Sequence, residues 1–173
     1  MSATPELSRR FALADIGTIP KRVSFAASAA ESAALARRFG LVSLQALSAE
    51  AELAAVNNAI EAIGTLSARL TQSCVATAQP LTADLAESFR IRFEAPDTDA
   101  SEEEFELSTD DCDVMTHDGQ AIDLGEAVAQ TLALVIEPFP RAPNADEVLK
   151  ARGISGEADM GPFAALKGYF EKP

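Results

Sequence analysis

Two cysteines, one histidine and no tryptophan stand in a chain of 173 residues. Two thiols, Cys74 and Cys112, make no disulfide framework, so a reducing cytoplasm is the default setting. A structural zinc site wants four ligands, with Cys and His in closely spaced pairs. The stretch "CDVMTHDG" supplies one of each, Cys112 and His117, among acids typical of a solvated loop. A Cys–His nucleophile pair would need Cys74 or Cys112 to meet that one histidine, and a small buried thiol is the plainer account of either. No Gly-rich phosphate loop, G-x-S-x-G elbow or H-E-x-x-H is present. "DTDASEEEFELS", residues 97–108, starts like a calcium loop but has Glu102 where the turn glycine belongs and Ser108 where the bidentate acid belongs. Catalytic residues, metal ligands and cofactors are therefore all expected to be none.

Long apolar runs are also missing. The longest with β-branched residues, Leu132 to Ile136, is far too short to span a bilayer, so no membrane is expected. "MSATPELSRRFALADIG" has no apolar h-region, and no secretory signal is expected. What is present, 47% hydrophobic and 24% charged residues, suits a soluble globular chain with one real core.

The last absence is of cations. Residues 93–140 hold fourteen Asp or Glu and no Lys or Arg, whereas residues 1–92 sum to +1 and residues 141–173 to zero, within a net charge of −13. The acidity is densest in residues 94–113 and reads as a mobile acidic loop, residues 95–117. Such a chain repels polyphosphate at long range. Direct RNA contact would fall to the neutral N-terminal part, where Arg9, Arg10, Lys21 and Arg22 sit in pairs, as do Arg37 and Arg38.

Two long stretches alternate with period two. Ile60, Ala62, Gly64, Leu66, Ala68 and Leu70 share one face, as do Leu81, Leu85, Phe89, Ile91 and Phe93, with Glu87 breaking the second pattern. If these strands pair as a hairpin, the buried faces must coincide. A register in which paired numbers sum to 153 sets Arg69 opposite Asp84, Glu61 opposite Arg92, and Phe89 over Gly64. It pairs Cys74 with Gln79 and leaves "VATA" at the tip. "LQALSAEAELAAVNN" favours helix by propensity, yet Asn57-Asn58 is a good two-residue hairpin turn. Pairing about it, with sums of 115, selects the same apolar face on the middle strand, so a three-stranded meander is preferred.

The expected fold is α+β: an antiparallel meander or partly closed sheet, with strands near 46–56, 59–73 and 80–94 and further N-terminal strands at "RRFALADIG" and "RVSFAAS". Ser28 and Glu31 form a capping-box pattern for a helix near 29–39, and Asp123 with Glu126 caps a second near 124–136. Pro138, Pro140 and Pro143 force an extended exit, after which a short helix, "ADEVLKAR", and a last turn or two at "PFAALKGYF" follow. The whole is expected to be a single domain, residues 1–173, with segment 141–173 loosely attached.

Four pieces in this order resemble the YceD family, the large ribosomal RNA subunit accumulation proteins: "RRFALADIG", "GTLSARLTQSCVATAQPLTADLAESFRIRF", "IDLGEAVAQTLALVIEPFPRAP" and "PFAALKGYF". The resemblance implies a cytoplasmic protein needed for accumulation of large-subunit (23S) rRNA. It marks Cys74, Pro80, Asp123, Leu124, Pro138 and Pro140 as structural motif positions. Many members carry a second cysteine at the hairpin tip and more near the C-terminus, suggestive of zinc. Here Ala76 or Thr77 replaces the second, which removes the metal inference and leaves Cys74 as a retained packing residue. The first expected function is a non-enzymatic assembly factor whose partner is a large-subunit precursor or a basic ribosomal protein, engaged through Glu102, Glu103, Glu104, Asp110 and Asp111. The alternatives are a direct RNA-processing enzyme or cofactor, and an acidic binding module for a basic ribosomal protein.

Overall fold

The fold is described from a computed structural model, which describes residues 5–96 and 113–154. The described residues divide into two compact units: residues 5–72 with 82–96 and 113–137, and residues 73–81 with 138–154.

The first unit is built on a mostly antiparallel five-stranded sheet. Its strands are β2 (Lys21–Ala26), β3 (Ser43–Val56), β4 (Ala59–Ser73), β5 (Pro80–Glu94) and β6 (Asp113–Thr116), in that spatial order. A separate two-stranded ladder joins β1 (Arg10–Ala12) to β7 (Ala121–Asp123). The alternation seen in the sequence becomes burial. Leu47, Ala49, Ala51 and Leu53 of β3 and Ala62, Leu66, Ala68 and Leu70 of β4 are buried on one face. Helices α1 (Ala29–Arg38) and α2 (Leu124–Val135) supply Leu35, Ala36, Leu124, Val128 and Leu132 to the same core, with Leu7 and Ile122. Each fully buried Leu or Ile contributes roughly 1.5–3 kcal/mol of transfer free energy.

The helix that propensity favoured over residues 46–56 does not form, because strand pairing buries four of its residues, Leu47, Ala49, Ala51 and Leu53, that a short isolated helix would leave wet. Asn57 and Asn58 take φ of 46° and 67°, the left-handed pair that a tight hairpin turn requires. From Val56↔Ala59 to Ala46↔Arg69 the β3–β4 register follows the expected sum, and a bulge at Gln45 then shifts it by one residue. Gly64 has a packing reason as well. A Cβ there would lie 2.2 Å from the Glu50 carbonyl oxygen, so only glycine lets β3 and β4 approach at this point.

On β4 and β5, Arg69 reaches Asp84 at 3.4 Å and the Thr71 and Thr82 hydroxyls meet at 3.1 Å, both in the expected register. The other expected pair differs. Glu61 is held by Arg90 at 3.3 Å, and Arg92 turns to Glu94 on its own strand at 2.7 Å. A diagonal neighbour two residues along is still within reach of an arginine. Glu87 is exposed although it shares the face of Phe89, Ile91 and Phe93, which are buried, and of Ala83 and Leu85, which are partly buried against the core.

The expected acidic loop, residues 95–117, is corrected at its far end. Residues Asp113–Thr116 form β6, which pairs parallel to β5 with Ile91 opposite Asp113. Four residues starting with an acid give too short an alternation to read. The ladder is supplied by β5, whose edge would otherwise be unpaired. The rest of that loop, with Glu102, Glu103, Glu104, Asp110 and Asp111, lies outside the described residues.

In the second unit, the tip of the β4–β5 hairpin packs with the chain after Pro138. Cys74, Ala142 and Ala145 are buried together, with Ala76 and Leu81 against them. Helix α3 (Ala145–Ala151) follows. The segment expected at "PFAALKGYF" lies outside the described residues.

Candidate functional site

The polar side chains of the first unit gather where helix α2 begins. Asp123 is its N-cap: Oδ1 accepts from the backbone N–H of Gly125 at 3.1 Å and of Glu126 at 3.2 Å, which satisfies two otherwise orphaned donors. The same carboxylate holds the N-terminal segment. Arg9 donates its backbone N–H to Oδ1 at 2.8 Å, and the Ser8 hydroxyl donates to Oδ2 at 2.6 Å. Leu124 in turn donates its N–H to the Arg9 carbonyl at 3.0 Å. Gly125 makes this crossing possible, since a Cβ there would meet the Arg9 nitrogen at 2.7 Å and the Leu7 carbonyl oxygen at 2.9 Å. The stretch "IDLG" is thus a clasp for the N-terminus.

Arginines tie the two helices to this clasp. Arg9 grips Glu31 with both guanidinium nitrogens, at 2.7 and 3.0 Å, and donates to the Ala26 carbonyl at 3.2 Å. Its guanidinium also lies 5.6 Å from the centre of the Phe25 ring. Glu31 is itself the far half of the α1 capping box, accepting from the Ser28 N–H at 2.7 Å. The Arg9 side chain, followed by the Ser28 backbone, holds the Glu31 carboxyl down to about 2. Arg38 bridges Glu126 at 2.7 Å and Glu6 at 2.9 Å.

The four cations expected for RNA contact are therefore placed as follows. Arg9 is engaged by Glu31, and its side chain is only 30% exposed. Arg10 pairs with Asp118, whose carboxylate also accepts from the Gln120 and Ala121 N–H groups in the turn before β7. Those backbone donors, with Arg10, hold its pKa below the usual carboxylate range. Arg22 pairs across the ladder with Glu52 at 2.8 Å. Lys21 makes no ion pair among the described residues. Sequence periodicity missed this network because its partners are far apart along the chain; the local signals were the Ser28/Glu31 and Asp123/Glu126 capping patterns.

At the hairpin tip, Cys74 donates its N–H to Gln79 O at 2.8 Å, the pairing expected from the register, and Ala78 closes the turn at φ 60°. Pro80 is the first residue of β5, where a missing N–H is tolerated. The Cys74 sulfur accepts from the Ala142 N–H at 3.3 Å, and the Pro140 carbonyl accepts from Val75 at 2.9 Å. Hydrogen bonding from the Thr77 side chain first, then from backbone N–H groups including Ala142, draws the thiol down to about 7 against the opposing effect of burial. Pro138 is the first residue after the first unit. Among the described residues no three His, Cys, Asp or Glu side chains gather as a metal site would need.

A family model described as "Large ribosomal RNA subunit accumulation protein YceD" matches residues 63–168, more than half of the chain. The match takes in Cys74, Pro80, Asp123, Leu124, Pro138 and Pro140; the N-terminal side of the clasp, Glu6 to Glu31, lies before it. No curated protein and no solved structure matches the chain.

Proposed function

The chain belongs to the YceD family of large ribosomal RNA subunit accumulation proteins, and on that premise we propose that it is a non-enzymatic cytoplasmic factor supporting accumulation of large-subunit (23S) rRNA through contact with a basic ribosomal protein or a precursor particle. The family match carries this reading. Electrostatics favours protein over RNA as the direct partner. Phosphate contact gains its free energy when Lys and Arg displace condensed counterions. Arg9, Arg10, Arg22 and Arg38 are already spent on carboxylates of the same chain, and the net charge is −13. A basic partner meets the opposite situation, because the acidic run of residues 94–113 attracts it and is screened by salt.

The test compares two variants for co-sedimentation with large-subunit precursors. One carries Gln or Asn at Glu102, Glu103, Glu104, Asp110 and Asp111; the other carries Lys21→Gln and Arg22→Gln. Arg9 is left intact, since it holds the fold together. Loss of association in the acidic variant alone supports the reading. Normal association there, with loss in the Lys21/Arg22 variant, replaces it with direct RNA contact.

A further inference from the structure

The sheet has an edge at β2 that is stopped at both ends and open between them. Ala27 donates its N–H to the Leu47 carbonyl at 2.9 Å. β2 pairs with β3 in one continuous register, from Lys21↔Leu53 to Ala26↔Ser48. Residues alternate in an antiparallel ladder, so Val23 and Phe25 share the phase of Ala27 and turn their backbone groups toward β3. Arg22, Ser24 and Ala26 turn theirs outward. Arg9 takes the Ala26 carbonyl at 3.2 Å, and Pro20, just before the strand, offers no N–H. Between these stops, Arg22 and Ser24 have no backbone partner on the outer side among the described residues. Both are exposed, the Arg22 side chain to 89%.

Beside this edge a groove of about 520 Å³ runs over the solvent face of the sheet, lined by Arg22, Ser24, Glu50, Glu52, Ile63 and Thr65 among others. Its two carboxylates differ. Glu52 is occupied by Arg22 at 2.8 Å, whereas Glu50 makes no ion pair among the described residues. Glu50 lies directly across the ladder from Ser24, the smallest side chain between Lys21 and Phe25.

We propose that the β2 edge accepts an extended strand of a basic protein, hydrogen-bonded to the outward backbone groups of Arg22 and Ser24, with one Lys or Arg passing over Ser24 to Glu50. Two strand spacings separate an added strand from β3, about 9.6 Å, and a long cation meeting a glutamate spans this. The backbone bonds supply affinity and the Glu50 pairing supplies the preference for basic sequence. The proposal rests on the reading above only in taking the occupant as protein.

The test uses the full chain, isotope-labelled, with a short synthetic peptide alternating Lys and Val. Amide exchange at Arg22 and Ser24 is expected to slow about tenfold or more on binding, while Val23 and Phe25, already bonded to β3, change little. The same peptide N-methylated at every residue, so that neither edge can donate, serves as a control that needs no protein variant, and it is expected to give no protection. Glu50→Gln is expected to weaken binding about tenfold, with Glu52→Gln much less harmful, and Ser24→Pro to abolish it. Equal protection by an alternating Glu/Val peptide, protection of Val23 and Phe25 instead, binding by the methylated peptide, or protection by oligouridylate alone would each overturn the proposal. The assembly reading fails separately, when the chain joins no large-subunit precursor at all.

Discussion

Replacing Asp123 by alanine tests whether the "IDLG" stretch is a clasp. The side chain caps α2 through the Gly125 and Glu126 N–H groups and holds Ser8 and the Arg9 N–H. Loss of an N-cap costs about 1 kcal/mol. Leaving the half-buried Arg9 N–H without its acceptor adds about 1–2 kcal/mol. The expected total of about 2–3 kcal/mol is a large share of a folding free energy of about 5–15 kcal/mol. Asp123→Asn keeps one carbonyl oxygen for the cap, and its amide can donate to Ser8, so it is expected to cost less than about 1 kcal/mol. Urea titration reads both, with the slope unchanged. Amide exchange at Arg9, Gly125 and Glu126 should rise together in the alanine variant. An alanine cost no greater than that of asparagine, or fast exchange at α2 with the Arg9 amide still protected, would refute the clasp.

Two further outcomes follow from the same geometry. The Glu31 carboxyl is held at about 2 by Arg9, below its ordinary 4.5, so its contribution is full above about 4.5 and is lost as pH falls toward 2; Glu31→Gln is expected to flatten the acid limb of a stability-versus-pH curve, and an unchanged limb would refute this. Cys74 has Thr77 where a second metal-ligating cysteine would stand, so metal analysis is expected to find far less than one zinc per chain, with Cys74→Ser destabilising by about 1 kcal/mol; a tightly held zinc lost in that variant would contradict it.

The long strands were legible because their signals are local and redundant. Alternation named the buried face of β4, and Asn57-Asn58 fixed the β3–β4 register that put Leu53 opposite Ala62. The capping box at Ser28 and the N-cap at Asp123 could be read for a similar reason, since a helix start is written within four residues. The clasp was not legible, because Ser8 and Asp123 are separated by 115 positions and neither is unusual in its own neighbourhood. Charge pairing on the solvent face was read in part. Arg69–Asp84 forms near the tip, but Glu61 takes the diagonal Arg90 because exposed arginines choose among several reachable acids at little difference in energy. β6 went unread since a four-residue strand draws its stability from β5, not from its own sequence.

The placement of the cations also bears on the charge that a partner meets. In the first unit, Arg9, Arg10, Arg22, Arg38, Arg69 and Arg90 each pair with a carboxylate brought from another segment, so these charges close the fold instead of facing outward unopposed. Pairing acids with bases one for one leaves the chain's surplus of thirteen negative charges unmatched, and most of that surplus lies in residues 93–140. A field of that sign raises the encounter rate with a basic protein and lowers it with nucleic acid. Both effects fade beyond the screening length, about 8 Å at physiological ionic strength. Association with a basic protein should therefore slow as salt is added, mainly through the rate of encounter, whereas dissociation should respond to the short-range bonds at the docking surface.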